Sequence, residues 1–597
     1  MHRRQSFVAM AARCRRPLSG RRGSAAMLAA RRQHGAVAVL AAIWLSIAIA
    51  ALGALDVGNV YFARRQLQRT ADLAAMAGVQ VISSSGGCAT ATAAAQQNAT
   101  ANGFSADGTT TTLNTTCGRW DTSSNTYFGT SGNPLNAVQV TTSQVVPYFF
   151  VGPSRTVTAT ATALASNIDA FSLGTGIATI NTQQSALLNA ILGGLLNTSV
   201  SLSVGDVQSL ATAHIKLGDL MVALGASTMQ GLLATTVSYQ NLMVAMVKAL
   251  QAGGDTVDAA ILQTLAVAIP GGQNITVGDG GASAPGLLAL GLANPNAATT
   301  ATINAFDALL VAAQIAQRSP DGTVGNAPAI NVTAGLAGVA SISLQIVNPP
   351  ALAVGEGGTT TVNGVTTART MARTAVANAT INLQNPLPPL NLGVAAISVL
   401  SSPLVVTLAL APGTATLSSV DCESIKAATN ATIQVSPSIA SICLAGNASC
   451  SGTVNLASIS VAGVNLANVI LHRIGPMWPG PGTITPLVFN GSSGSFDSTL
   501  SANSNAIGSD GAVLTTQLLA ALPGALDVSV FNNSFDLSSL TSPILSLVGS
   551  TLTPLLQPVF GLLDTIVVPT LSLLGVQVGT ATVHNMSLTC GVSQLVN

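Results

Sequence analysis

Three hydrophobic periods succeed one another along the chain. From Gly35 to Leu55 twenty-one positions carry no charge, enough at about 1.5 Å per residue to cross a hydrocarbon layer of about 30 Å. Ala, Leu, Gln and Arg then dominate to Val81 without a Pro, so a transmembrane helix over 35–55 and a stem over 56–82 are expected to form one helix. In the stem Ala71, Ala74, Ala75 and Gly78 recur at spacings of three and four, a pattern that admits close helix contact. Docking onto the protein's own first domain is the expected use, and a homo-oligomer through the stem is the alternative. Thr/Val/Ala stretches at Thr109–Leu113, Ala137–Val145 and Arg155–Leu164 predict a small antiparallel β domain over 83–165.

Helical spacing returns over 166–341, at Gln183–Leu196, Ser238–Ala252, Asp255–Ile269 and Asn296–Gln317. Val204-Gly205-Asp206, Leu217-Gly218-Asp219 and Val277-Gly278-Asp279 recur there and predict a strand, a Gly bend and an Asp that caps the next helix. Over 342–597 strand composition dominates, at Ile342–Val347, Thr359–Val365, Ala375–Leu383, Leu404–Leu410 and Val454–Val461, with an antiparallel sheet expected. Residues 477–511, rich in Gly, Ser, Asn and Pro, read as an extended loop. The apolar tract Pro543–Leu574 holds Pro543, Pro554, Pro558, Pro569 and Asp564, which favours short buried helices over a second span. The expected class is mixed α+β: an anchor and stem, a small β domain, then a larger mixed α/β and β-rich body.

Charge refines this picture. Only 7% of the 597 residues are charged while 48% are hydrophobic, against roughly 25% charged in ordinary soluble domains. This composition excludes intrinsic disorder, which needs low hydrophobicity and dense charge. Nine Arg and no acid lie in residues 1–34, a basic tail, whereas the rest carries twelve basic and twenty acidic groups, net −8. The Arg excess before the span predicts a cytoplasmic N-terminus and an exported body. A body with three Lys in all lacks the clustered cations that nucleic-acid binding requires. Asp56, at the outer edge of the span, is expected to be interfacial or paired rather than a site within the membrane.

The segment from Arg31 to Gln80 resembles the N-terminal part of TadE/TadG-like proteins of the Tad (tight adherence) Flp pilus machinery. The likeness is carried by basic residues before Gly35, the apolar span, Asp56 with Tyr61 after it, Leu67-Gln68 and Ala71-Asp72-Leu73-Ala74-Ala75. Asn102-Gly103, Cys117-Gly118-Arg119-Trp120-Asp121, Asn136-Ala137-Val138-Gln139-Val140 and Val146-Pro147-Tyr148-Phe149-Phe150 extend it to about residue 165. The resemblance implies an inner-membrane-anchored structural component of a Tad/Flp type IV pilus assembly and secretion apparatus. Its implied partners are the bilayer and Tad/Flp assembly proteins or pilin. A surface-displayed adhesin or minor pilus-tip subunit exported by that system is the alternative. Two departures are evident: no Glu follows Gly35 within the apolar run, and the Asp121 and Asp536 runs lack the last Ser of a von Willebrand metal motif.

Six of seven Cys follow the span, while Cys14 precedes it. An even number outside fits three disulfides in an oxidising, periplasmic compartment. Fifteen pairings are open, of which Cys88–Cys117, Cys443–Cys450 and Cys422–Cys590 are preferred here; zinc is the rival, without C-x-x-C or ligand-spaced His. Catalysis has no local support, because nucleotide-loop, zincin and nucleophile-elbow runs are missing. His214 sits between apolar neighbours and reads as a core or interfacial residue. No catalytic residue, metal or cofactor is expected.

Overall fold

The computed structural model describes residues 34–503, except 85, 123–126, 151, 175–181, 197–198, 200, 269–273, 321–328, 333–338, 363, 384–389, 393–394, 400–401, 411, 437–439, 478–483 and 492–495, together with 521, 524–530 and 580–596. The basic tail up to Gln33 with Cys14, the Asp536 run and the Pro543–Leu574 tract lie outside the described residues. By their contacts the residues form two compact units, Met1–Leu67 with Ser143–Thr158 and Gln68–Thr142 with Ala159–Asn597.

The chain combines a long apolar N-terminal helix with further helices and several sheets, an α+β mixture. Helix α1 (His34–Gln80) is continuous over 47 residues, as its Pro-free, Ala- and Leu-rich sequence favours. It is the one helix among the described residues long and apolar enough to cross a membrane. In the first unit its large side chains, Val37, Leu40, Trp44, Leu45 and Ile49 among them, are exposed. In the second unit Ala71, Ala74, Ala75 and Val79 are fully buried. They pack with Ala91, Ala95 and Ala99 of α2 (Gly87–Ala101) and with Val138, Val140, Ala161 and Ala163. A Cβ added at Gly78 would meet the Ala91 carbonyl at 2.9 Å, so only Gly fits there. The small-residue stripe is thus packed within the chain, the use favoured from the sequence.

The strands β1 (Thr111–Trp120), β2 (Phe128–Gly129), β3 (Ala137–Val146) and β4 (Arg155–Leu173) open the main sheet in the order β2-β1-β3-β4. Helix α2 stands where the sequence pointed to strands alone; its Ala run at spacing four finds a partner in α1 and so becomes helical. Strand β4 alternates burial up to Ala163 and is then buried on nearly every position to Leu173, running past residue 165. Its buried half pairs antiparallel with Leu352–Gly355 and with the C-terminal strand Thr580–Val596. Strand Leu352–Gly355 pairs in parallel with Leu288–Gly291, and Ser498–Asn503 joins Thr580–Val596. Residues 477–511, expected as a loop, therefore contain the strands Thr485–Asn490 and Ser498–Asn503; burial alternates along Thr485–Asn490, which Gly and Ser content alone concealed.

Helices α3 (Thr182–Leu196), α4 (Val204–Thr212), α5 (Leu217–Ala223), α6 (Met229–Ala234), α7 (Tyr239–Ala252), α8 (Thr256–Ala268) and α9 (Ala305–Ala316) share the largest core. The helix expected over Asn296–Gln317 is broken: a 3-10 turn Pro295–Thr300 leads to the strand Thr302–Asn304, and α9 starts after it. Asn304 explains the restart, since its side-chain oxygen accepts from the amides of Phe306 and Asp307. The repeated Gly-Asp also differs from expectation. Asp206 is the third residue of α4 and completes a capping box with Ser203, and Asp219 lies in the first turn of α5 behind Lys216. Asp279 caps no helix and instead forms a two-pronged ion pair with Arg373.

The other sheets are antiparallel. One joins Ala329–Val332, Val339–Asn348, Val376–Leu383, Leu404–Leu410, Ala440–Ala445 and Ile474–Met477. In Val376–Leu383 every second residue is buried, the pattern of a sheet with one face on the core.

Candidate functional site

In the first unit, Asp56 is the critical polar residue. Gly35 and Leu55 both lie within α1 and are exposed, and Asp56, one residue on, is 2% exposed. Its carboxylate accepts from the backbone amides of Phe149 at 2.8 Å and Phe150 at 3.1 Å. Two amides on one carboxylate satisfy a charge that the apolar end of the helix would otherwise leave costly to bury.

In the second unit the pieces of the Cys117–Asp121 run each have a use. Cys117 of β1 is bonded to Cys88 in the first turn of α2, Cα to Cα 5.8 Å. A side chain at Gly118 would strike the carbonyl of Gly129. Arg119, almost fully buried, pairs with the buried Glu356 at 2.9 Å and donates to the Pro134 carbonyl at 3.1 Å. Burial pushes the Glu356 carboxyl up, against the pull of Arg119. Trp120 stacks on Tyr127 with centroids 6.0 Å apart, and its backbone is held by the Asn136 amide through N–H donation at 2.8 Å and acceptance at 3.2 Å. The run is a structural clasp between β1, the Asn136 turn and Glu356. The other cysteines pair as Cys422–Cys590, 168 residues apart, and Cys443–Cys450.

The most unusual chemistry comes from residues far apart in sequence. Strand register sets Ser172 of β4 beside His584 and His584 beside Thr499. His584 Nδ1 lies 3.0 Å from Asp307 in the first turn of α9, and its Nε2 lies 2.8 Å from Asp497. Asp497 also faces His214 at 3.5 Å, and Ser172 donates to Asp307 at 2.7 Å. A cleft of about 310 Å³ opens here, lined by Gln208, Thr212, Asn304, Asp307, Asp497 and His584. Burial opposes the charge on His584, but the two carboxylates outweigh it and lift its pKa to about 10. The hydrogen bond to Asp497 raises His214 as well, and the two histidines, against burial, hold Asp497 well below the usual carboxylate range. Three residues before Ser172 on β4, Asp169, wholly buried, is pushed by burial up to about 8 and accepts at 2.7 Å from Asn585, the neighbour of His584.

This geometry favours holding over reacting. With a carboxylate on each ring nitrogen, His584 is an imidazolium that donates twice and keeps no lone pair for a metal or a proton. Ser172 donates to Asp307 rather than to an imidazole, so the order of a nucleophilic triad is not met. No group of three or more His, Cys, Asp or Glu among the described residues is disposed to hold a metal. His584, Asp307 and Asp497 escaped the sequence reading because they are isolated in sequence; a signal existed only in the scarcity of charge, which makes any buried ionised residue notable.

Among the described residues one N-terminal helix is long and apolar enough to cross a membrane. Residues 53–163 match the Tad-like Flp pilus-assembly family, a likeness that supports a protein of Tad/Flp pilus assembly. Residues 184–314 match a domain of unknown function, DUF8293, over the span of α3 to α9. No curated protein and no solved structure matches the chain.

Proposed function

We propose that the protein is a single-pass, inner-membrane-anchored structural component of a Tad/Flp pilus assembly apparatus, with its body in the periplasm. The observation that carries this reading is the Tad-like match over residues 53–163, which begins inside a helix apolar enough to span a bilayer. The Arg-rich N-terminus supports a cytoplasmic tail. Three disulfides support an oxidising compartment for the body. The role is mechanical: α1 fixes the body at the membrane, and the charge-poor sheets offer surfaces to pilus proteins or pilin. The body divides at β4 into the Tad-like part, the helix-rich part around α3 to α9 and the β-rich remainder.

Deleting the gene in its host and counting surface pili by electron microscopy tests the reading. Loss of pili, restored by the intact gene, is the expected result. Normal pili with reduced attachment would overturn it in favour of an exported adhesin or pilus-tip subunit.

A further inference from the structure

The first unit carries features that a plain membrane span does not need. Phe149 and Phe150 follow Pro147-Tyr148 and are 66% and 56% exposed, although two Phe rings are costly to leave in water. Their centroids are 6.3 Å apart. The backbone amides of these same two residues are fixed on Asp56, so the pair is held at the end of the apolar stretch Gly35–Leu55. Tyr61 and Phe62 of α1, also exposed, follow within two turns.

Beside them is a cleft of about 350 Å³ lined by Val60, Tyr61, Arg64, Arg155, Thr156, Val157 and Thr158. Asp56 is the one carboxylate among the described residues of this unit and is already bound by amides. No ion pair to Arg64 or Arg155 occurs among the described residues. Arg64 is eight residues beyond Asp56, about 12 Å along the helix. Helical side chains lean toward the N-terminus, so its guanidinium is drawn back toward the headgroup layer, which extends about 5–7 Å beyond the hydrocarbon.

We propose that this end of the first unit is a bilayer-surface site: Phe149 and Phe150 enter the interface, and the Arg64–Arg155 cleft seats a phospholipid phosphate. The inference rests on reading α1 as the membrane anchor. Continuity with that apolar surface selects lipid as the occupant, since the aromatic pair and the cations meet the order of a bilayer interface, apolar below and phosphate above. The clasp would fix the depth and rotation of the helix where a bare span leaves both free.

The test introduces the photocrosslinker p-benzoylphenylalanine singly at positions 149, 44 and 222 of the full chain in its native membrane, with lipid adducts measured by mass spectrometry. Adducts at 149 at least tenfold above those at 222, alongside adducts at 44, are expected. Adducts at 44 with 149 no higher than 222, or a protein adduct in place of lipid at 149, would overturn the inference and leave the anchor intact. No adduct at 44 would overturn the anchor and this inference with it. In the double variant Arg64→Gln and Arg155→Gln, phospholipid retained after mild detergent extraction should fall at least twofold; unchanged retention would overturn the phosphate seat.

Discussion

The two halves of α1 are equally helical and oppositely built. In the first unit the helix exposes Leu40, Trp44, Leu45 and Ile47; in the second it buries Ala71, Ala74 and Ala75 against another helix and a sheet. Large side chains suit a lipid neighbour, where area in contact with chains is all that matters. Small ones suit a protein neighbour, because close approach of backbones then replaces side-chain bulk. The same contrast holds for charge. Asp56 in the first unit is met by backbone amides, whereas His584 in the second is met by two carboxylates.

The strongest way to separate the halves is reduction, since all six bonded cysteines belong to the second unit. Each bridge is worth about 2–4 kcal/mol, so reductant should lower the unfolding temperature of the detergent-solubilised chain sharply while membrane retention stays unchanged. Six free thiols in the native protein, by mass spectrometry after alkylation, would contradict the bridges.

Next in size is His584→Gln, which leaves Asp307 and Asp497 without their shared cation and should cost about 4 kcal/mol. Its pH dependence is specific. The pKa of His584 is raised, so its contribution is full below about 6.5, its unfolded value, and disappears as pH rises toward about 10. Asp169, raised to about 8, acts in the same direction up to that pH. Asp497, depressed, adds stability that is lost as pH falls below its unfolded value of about 4. Thermal unfolding should therefore show a loss of stability between pH 7 and 10 that is shallower in His584→Gln; equal slopes would remove the cluster from the account.

Ile47→Arg should weaken insertion by about 3 kcal/mol and shift the chain out of the carbonate-resistant membrane fraction, with the second unit still folded. The smallest effect compares one substitution at two places. Ala75→Leu should overpack the α1–α2 seam and cost about 2 kcal/mol, whereas Ala48→Leu should be neutral. Equal unfolding temperatures for the two variants would mean that the seam tolerates bulk and the contrast is false.

Much of the local structure was legible. The continuous α1, the strands around Ala137–Val145 and Leu404–Leu410 and the helices near 183–196 and 239–252 follow from period and from the absence of Pro. What was misread shares a cause. Asn296–Gln317 has helical spacing, yet Ile303 pairs with Ile215 across a short ladder, and that long-range bond wins over local preference. The Gly-Asp repeat looked uniform, but Asp279 meets Arg373, a residue 94 positions away, and no local rule anticipates such a partner.

By itself the sequence determined the apolar span, the charge asymmetry about it, the even cysteine number outside it and the resemblance of its first quarter to pilus-assembly proteins. These are additive properties of neighbouring residues. Tertiary structure alone decided that Phe149 and Phe150 hang from Asp56, and that His214, Asp307, Asp497 and His584 converge. Each joins residues distant in the chain, and for His584 the strand register decides: shifting its strand by one residue would turn that side chain to the opposite face.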